Sequence, residues 1–65
     1  MSWKTTWTTI NKVAISGVDP GVEKTYTEIS QYNSDLINLL EKVILPLGHD
    51  EELKLIDLYI EKDEI

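Results

Sequence analysis

The first segment, residues 3–16, alternates between two kinds of position. Its odd positions include Trp3, Trp7, Val13 and Ile15, whereas threonine and lysine dominate the even positions. A period of two residues is typical of a strand with one buried face, and Thr, Trp, Val and Ile favour pleated surfaces. A helix is less favourable, because its threonines would lose side-chain freedom. We therefore predict an N-terminal β-segment with both tryptophans on one face.

A single strand leaves its backbone N–H and C=O groups without partners. Three arrangements would satisfy them. The segment can fold back on itself at Ile10-Asn11-Lys12, it can pair with a later segment, or it can pair with a second protein by strand addition.

The second segment, residues 20–46, repeats its apolar positions with a helical period. Asp19 is suited to capping the helix, Pro20 suits its first position, and Pro46 ends it. The repeating positions are Val22, Tyr26, Ile29, Tyr32, Leu36, Leu40, Val43 and Leu47. The pattern predicts a long central helix, and it is strongest from Ser34 to Leu45.

A second interpretation of the same segment remains open. Residues 24–29 can also extend, with residues 18–22 as the turn of a β-hairpin. The helix then begins near Ser34, with Asn33 or Ser34 as its cap.

The third segment, residues 50–62, predicts a short acidic helix. Asp50 is suited to capping it, and Leu53, Ile56 and Ile60 form an apolar stripe. The alternative is a strand with Ile56, Leu58 and Ile60 on one face, which would be the natural partner of residues 3–15.

These segments predict a single small α+β domain over residues 1–65. The favoured order is an N-terminal β-segment, a long central helix and a short acidic C-terminal helix. The alternatives are a ββαβ order and an all-α bundle. Segment 36–45 is apolar around most of its circumference, and such a helix is normally surrounded. We therefore expect a second molecule, another protein or another copy of the chain, to cover part of it.

Charge narrows the choice of partner. The chain has 12 acidic residues against six basic ones, for a net charge of −6, and every basic residue is lysine. An acidic chain without arginine is poorly suited to phosphate backbones and base edges, so we expect no direct nucleic-acid binding. The acids concentrate in residues 50–65, which suits a partner with a basic surface.

The candidate chemistry is sparse. There is no cysteine, only one histidine, His49, and no nucleophile, phosphate-loop or dinucleotide motif. We expect no enzyme activity, no cofactor, no metal site and no membrane span, and we recognise no family. The lack of cysteine fits a reducing compartment, so the expected location is the cytoplasm.

The leading functional hypothesis is a non-enzymatic protein-interaction module, for example a small acidic inhibitor that occupies a basic groove of its target. The alternatives are a homo-oligomer that sequesters a nucleotide-like small molecule and a structural subunit of a larger assembly. Tryptophan is enriched at the energetic centres of interfaces, and acids steer a basic partner. The candidate partner-binding residues are Trp3, Trp7, Asp50, Glu51, Glu52, Asp57 and Glu61.

Overall fold

The computed structural model of the protein describes residues 2–12 and 21–63. In chain order they form β1 (Ser2–Asn11), β2 (Glu23–Ser30), a helix α1 (residues 33–47) and β3 (Leu53–Asp63). The three strands make one antiparallel sheet in the order β2-β1-β3. The helix packs on one side of this sheet, which we call the helix face, and the other side is the open face.

The central strand β1 follows the predicted alternation. Its odd residues Thr5, Trp7 and Thr9 are buried on the helix face, and the even residues between them are only partly covered. The predicted β-segment is therefore confirmed through Asn11, while Val13 and Ile15 lie outside the described residues. The hairpin at Ile10-Asn11-Lys12 is wrong, because β1 is still paired on both sides at Ile10.

Strand β2 corrects the prediction of a helix from Val22. The Asn11 N–H donates to the Val22 carbonyl at 3.1 Å, and the Gly21 N–H donates to the Asn11 carbonyl at 2.8 Å. Gly21 has a φ of 88°, a backbone conformation that glycine adopts without steric cost. The chain thus enters β2 in the β-hairpin arrangement, and the proposed capping roles of Asp19 and Pro20 lie outside the described residues.

The helix confirms the strongest part of the helical pattern, Ser34 to Leu45. It is α-helical over Asn33–Leu39 and Leu45–Leu47, and Leu40–Ile44 between them is π-helical. Tyr32 occupies the N-cap position without a side-chain hydrogen bond, so the predicted caps are wrong. The wider turn lies just before Pro46, whose ring and missing N–H do not fit a regular α-helix.

The C-terminal helix is wrong, because residues 53–63 form the edge strand β3. Asp50 does cap backbone amides there: its Oδ1 accepts hydrogen bonds from the Glu52 and Leu53 N–H groups at 2.7 and 2.9 Å. These bonds close a turn that leads into a strand. The pairing of β3 with β1 contains a bulge, since Thr8 lies opposite Asp57 and Thr9 opposite Leu55. Ile56 is the additional residue.

The core is small and lies under the middle of the helix. It consists of Trp7, Leu39 and Ile44, with Leu40, Leu47 and Leu55 packed against it. The favoured fold, with two helices after one strand, is therefore wrong. The observed order is the ββαβ order that the pattern left as an alternative, and β1 finds both of its partners within the chain.

Candidate functional site

Three residues form a row across the helix face at the level of Trp7. Trp7 lies opposite Tyr26 of β2 on one side and opposite Leu58 of β3 on the other. Its ring stacks on Tyr26, with centroids 5.5 Å apart and planes 21° apart. Trp7 is only 7% exposed, whereas Tyr26 is 42% exposed and Leu58 39%. The helix thus covers the centre of the sheet and leaves both edges open.

The outer edge of β3 carries free backbone groups. Residues of a middle strand bond alternately to its two neighbours, and the Lys12 N–H donates to the Glu52 carbonyl at 2.8 Å. The even residues of β1 therefore bond to β3. It follows that the N–H and C=O groups of Leu58, Ile60 and Lys62 point away from β1, where no strand of the described chain pairs with them.

The side chains of β3 divide by chemistry between the two faces. Leu58 and Ile60, which is 37% exposed, lie on the helix face beside the core. The open face carries Asp57, Glu61 and Asp63, which pair with Thr8, Lys4 and Ser2 of β1. Asp57 and Glu61 flank Tyr59, which is 60% exposed. An incoming strand beside residues 57–61 would thus meet apolar groups on one face and acids on the other, and Lys62 follows on the helix face beside Trp3.

The outer edge of β2 differs in its charges. The Asn11 N–H bonds to the Val22 carbonyl, so the odd residues of β1 bond to β2. The backbone groups of Thr25 and Thr27 therefore point outward. On the helix face, the exposed Lys24 and Glu28 lie two residues to either side of Tyr26.

The predicted tryptophan contacts have different environments. Trp7 is in the core, so its surface is occupied by Tyr26 and the helix. Trp3 is half-buried near the start of β1, where its Nε1 donates to Asn33 Oδ1 at 2.8 Å. The Lys62 ammonium lies 5.8 Å from the centre of the Trp3 ring. The structure therefore assigns both tryptophans internal contacts, and their roles in partner binding stay predictions.

The predicted acidic contacts lie in two places. Asp57 and Glu61 share the open face of β3, while Glu51 and Glu52 are exposed in the bend before it. Asp50 is held by its own turn. Hydrogen bonds from the Leu53 N–H and then the Glu52 N–H, with Lys12 nearby, hold the pKa of its carboxyl below the usual value.

The sequence pattern did not identify Tyr26 and Leu58 as positions on the edges of a sheet. Leu58 belongs only to the strand alternative for the third segment, and Tyr26 is a helical position in the favoured interpretation of the second. A signal was present for β2: Lys24 and Glu28 are placed symmetrically around Tyr26 with threonines between them. That symmetry has meaning only once the segment is an edge strand.

The described residues contain two concave regions on the helix face near β2. An apolar cavity of about 190 Å3 lies among Trp7, Tyr26, Val43 and their neighbours. A more open groove of about 510 Å3 separates the end of β2 from the helix and is lined by Glu28, Lys42 and Val43, among others. The cavity is smaller than the roughly 300 Å3 or more of common ligand pockets.

Neither a cluster of metal-ligating side chains nor a membrane-spanning helix occurs in the described ranges, 2–12 and 21–63. These ranges contain no cluster of His, Asp or Glu suitable for holding a metal ion. The helix falls short of what a bilayer crossing requires, so this part of the chain has no membrane-spanning helix. No protein-family model, curated protein or solved structure matches the chain. The two sheet edges are therefore the features of the molecule that point to a function.

Proposed function

We propose that the protein is a non-enzymatic interaction module that binds an extended strand of a partner protein along the outer edge of β3. The observation that carries this proposal is the edge itself. Beyond its bulge β3 presents outward N–H and C=O groups at Leu58, Ile60 and Lys62, next to apolar side chains that the helix leaves exposed. Strand addition uses such backbone groups for affinity and the alternating side chains for selectivity.

The division of side chains on β3 defines the partner. Successive residues of a strand point to opposite faces. A strand that alternates apolar and basic residues would set its apolar groups beside Leu58 and Ile60. Its lysines or arginines would meet Asp57, Glu61 and Asp63 on the open face. This is the basic partner that the charge of the chain favours, and an inhibitor that fills a basic groove is one form of the function.

Other observations support the same proposal. Eleven large apolar side chains of the described residues are exposed, and two of them, Leu58 and Ile60, lie next to each other on the helix face of β3. Such exposure marks interaction surfaces when it is contiguous. The lack of cysteine supports the cytoplasm as the location.

Synthetic strands test the proposal directly. The probe is a capped peptide of alternating lysine and valine, and the control peptide alternates glutamate and valine. We expect the lysine peptide to bind more weakly as salt is added, because the acids are exposed and screened. We expect it to shift the backbone NMR signals of Leu58, Ile60 and Lys62, and we expect no binding of the glutamate peptide.

Matched variants locate the binding. Glu61→Lys places a positive charge on the open face of β3, whereas Glu41→Lys makes the same charge change at an exposed helix position. We expect Glu61→Lys to abolish binding of the lysine peptide and Glu41→Lys to preserve it. Equal binding of both peptides, or binding that survives Glu61→Lys unchanged, would refute the assignment to β3.

A further inference from the structure

The edge of β2 carries an inference that stands without the proposed function. On the helix face its charged residues flank Tyr26 with opposite signs: Lys24 precedes Tyr26 by two positions and Glu28 follows it by two, while Glu23 lies on the open face. The side chains of Lys24, Tyr26 and Glu28 are exposed and lie on the helix face, because their partners in β1 are Thr9, Trp7 and Thr5. When two such strands pair antiparallel, each lysine faces a glutamate of the other strand.

We infer that the β2 edge pairs with the β2 edge of a second copy of the chain, antiparallel, with Tyr26 on the twofold axis. In this register Lys24 of each copy lies directly opposite Glu28 of the other, and Thr25 lies opposite Thr27. The two sheets of three strands become one continuous sheet of six. Opposite charges that face each other across strands stabilise the pairing, and like charges destabilise it.

The directions of the backbone N–H and C=O groups of β2 agree with this register. The outward N–H and C=O groups of β2 belong to Thr25 and Thr27, so these residues form the hydrogen-bonded pairs between the copies. Tyr26 is then a non-hydrogen-bonded position, where facing side chains lie closest. Because Tyr26 already stacks on Trp7 within each copy, the pairing builds a row of four aromatic rings.

The described residues around β2 leave room for a second copy. An antiparallel pair has its twofold axis perpendicular to the sheet, so both helices lie on the same face. The groove of about 510 Å3 between β2 and the helix separates each helix from the new junction. The two β2 strands lie between the helices as well.

Other registers and the other edge fit a second copy less well. An axis at Thr25 or Thr27 separates Lys24 from Glu28 and loses both ion pairs. On β3, a twofold axis at Tyr59 places Asp57 opposite Glu61 of the second copy. An axis at Ile60 places Asp57 opposite Asp63, so both registers bring like charges together. An axis at Leu58 brings the bulge of both copies into the pairing, and bulges disrupt edge pairing.

Charge reversal tests the inference. Lys24→Glu sets glutamate against glutamate across the junction, and Glu28→Lys sets lysine against lysine, so each change converts both attractive pairs into repulsive ones. We expect each single variant to dimerise roughly tenfold to several-hundredfold more weakly than the parent in sedimentation equilibrium. Lys54→Glu and Glu41→Lys make the same charge changes away from β2 and should leave the dimer unchanged.

Mixing supplies the sharper result. The Lys24→Glu chain and the Glu28→Lys chain are complementary to each other, so an equimolar mixture should form a heterodimer although neither chain dimerises well alone. The double variant with both changes should dimerise like the parent. A parent chain that stays monomeric at every concentration, or a mixture that stays monomeric, would overturn the inference.

A cross-link tests the register independently of charge. The chain has no cysteine, and a non-hydrogen-bonded pair places the Cα atoms about 4.5 Å apart, within the range of a disulfide. Tyr26→Cys should therefore form a covalent dimer under mild oxidation. Leu58→Cys, which also lies opposite Trp7 but on the β3 edge, should remain largely monomeric. A covalent dimer from Leu58→Cys alone would place the interface on the wrong edge and refute the inference.

Discussion

The two edge strands of the sheet, β2 and β3, share an antiparallel partner in β1 and differ in the order of their charges. Both pair antiparallel with β1, and at the level of Trp7 they present Tyr26 and Leu58 with exposed fractions of 42% and 39%. On the helix face of β2 the charges are symmetric around Tyr26 with opposite signs, whereas the regular part of β3 carries acids on its open face. We therefore propose that the order of charges along an edge selects the strand that pairs with it, a second copy of the chain at β2 and a basic strand at β3.

The largest loss of stability is expected from a change in the core, on which both edge strands pack. Trp7→Ala deletes the central side chain of the core, and comparable substitutions cost about 3–5 kcal/mol. Because that is a large part of the stability of a small domain, we expect the variant to be mostly unfolded by circular dichroism and to lose both edges together.

Trp3→Ala is the control for that variant. Trp3 is half-buried and its indole makes one hydrogen bond, to Asn33, so a loss of about 1 kcal/mol in urea denaturation is expected. Equal losses for the two tryptophans would contradict a core centred on Trp7.

A smaller loss of stability is expected from a change at Gly21, where the chain enters β2. Gly21→Ala places a side chain at a φ of 88° with open space around it, so its cost is conformational and amounts to about 1–2 kcal/mol. Gly21→Asn should cost less, because asparagine tolerates positive φ. Thermal unfolding of both variants measures the difference, and identical stability of the alanine variant and the parent would contradict the hairpin geometry.

A change in β1 should raise the stability of the fold without altering binding at either edge. The Thr5 side chain is fully buried, and its hydroxyl has no hydrogen-bond partner among the described residues. Thr5→Val keeps the shape and removes the unsatisfied group, so we expect a gain of about 1 kcal/mol. Peptide binding at β3 and dimerisation at β2 should be unchanged, and a loss of stability would show that the hydroxyl has a partner.

The smallest expected effect concerns pH and the turn before β3. The pKa of Asp50 is lower in the folded state than its ordinary value of 3.8. Its ionised form therefore contributes stability above that ordinary value, and the contribution is lost as the pH falls through the lower folded pKa. Asp50→Asn keeps an acceptor oxygen that does not titrate, so its unfolding midpoint should depend less on pH below 3.8 than that of the parent.

The sequence pattern predicted β1 and the helix because each has a clear period. β2 was missed because Val22, Tyr26 and Ile29 also fit a helical period, and only the need of β1 for a partner favours the strand. β3 was missed for a different reason. Its bulge at Ile56 places Leu55 and Leu58 on the same face, which breaks the two-residue period and mimics a helical stripe.

The sequence indicated the acidic charge of the candidate site but not where its residues lie in the fold. Asp57 and Glu61 were identified because acids concentrate near the C-terminal end of the chain, and the structure places both on one face of β3. Trp7 was a candidate contact because of its residue type, whereas its ring fills the core. Lys24 and Glu28 carry no signal until β2 is known to be an edge strand, because their complementarity exists only between two copies.

Amide hydrogen exchange, resolved by residue and followed over protein concentration, tests the difference between the edges most directly. The outward amides of Thr25 and Thr27 should become protected as concentration rises, while those of Leu58 and Ile60 should stay open until the lysine–valine peptide is added. Protection of Leu58 and Ile60 by concentration alone, with Thr25 and Thr27 open throughout, would contradict the account.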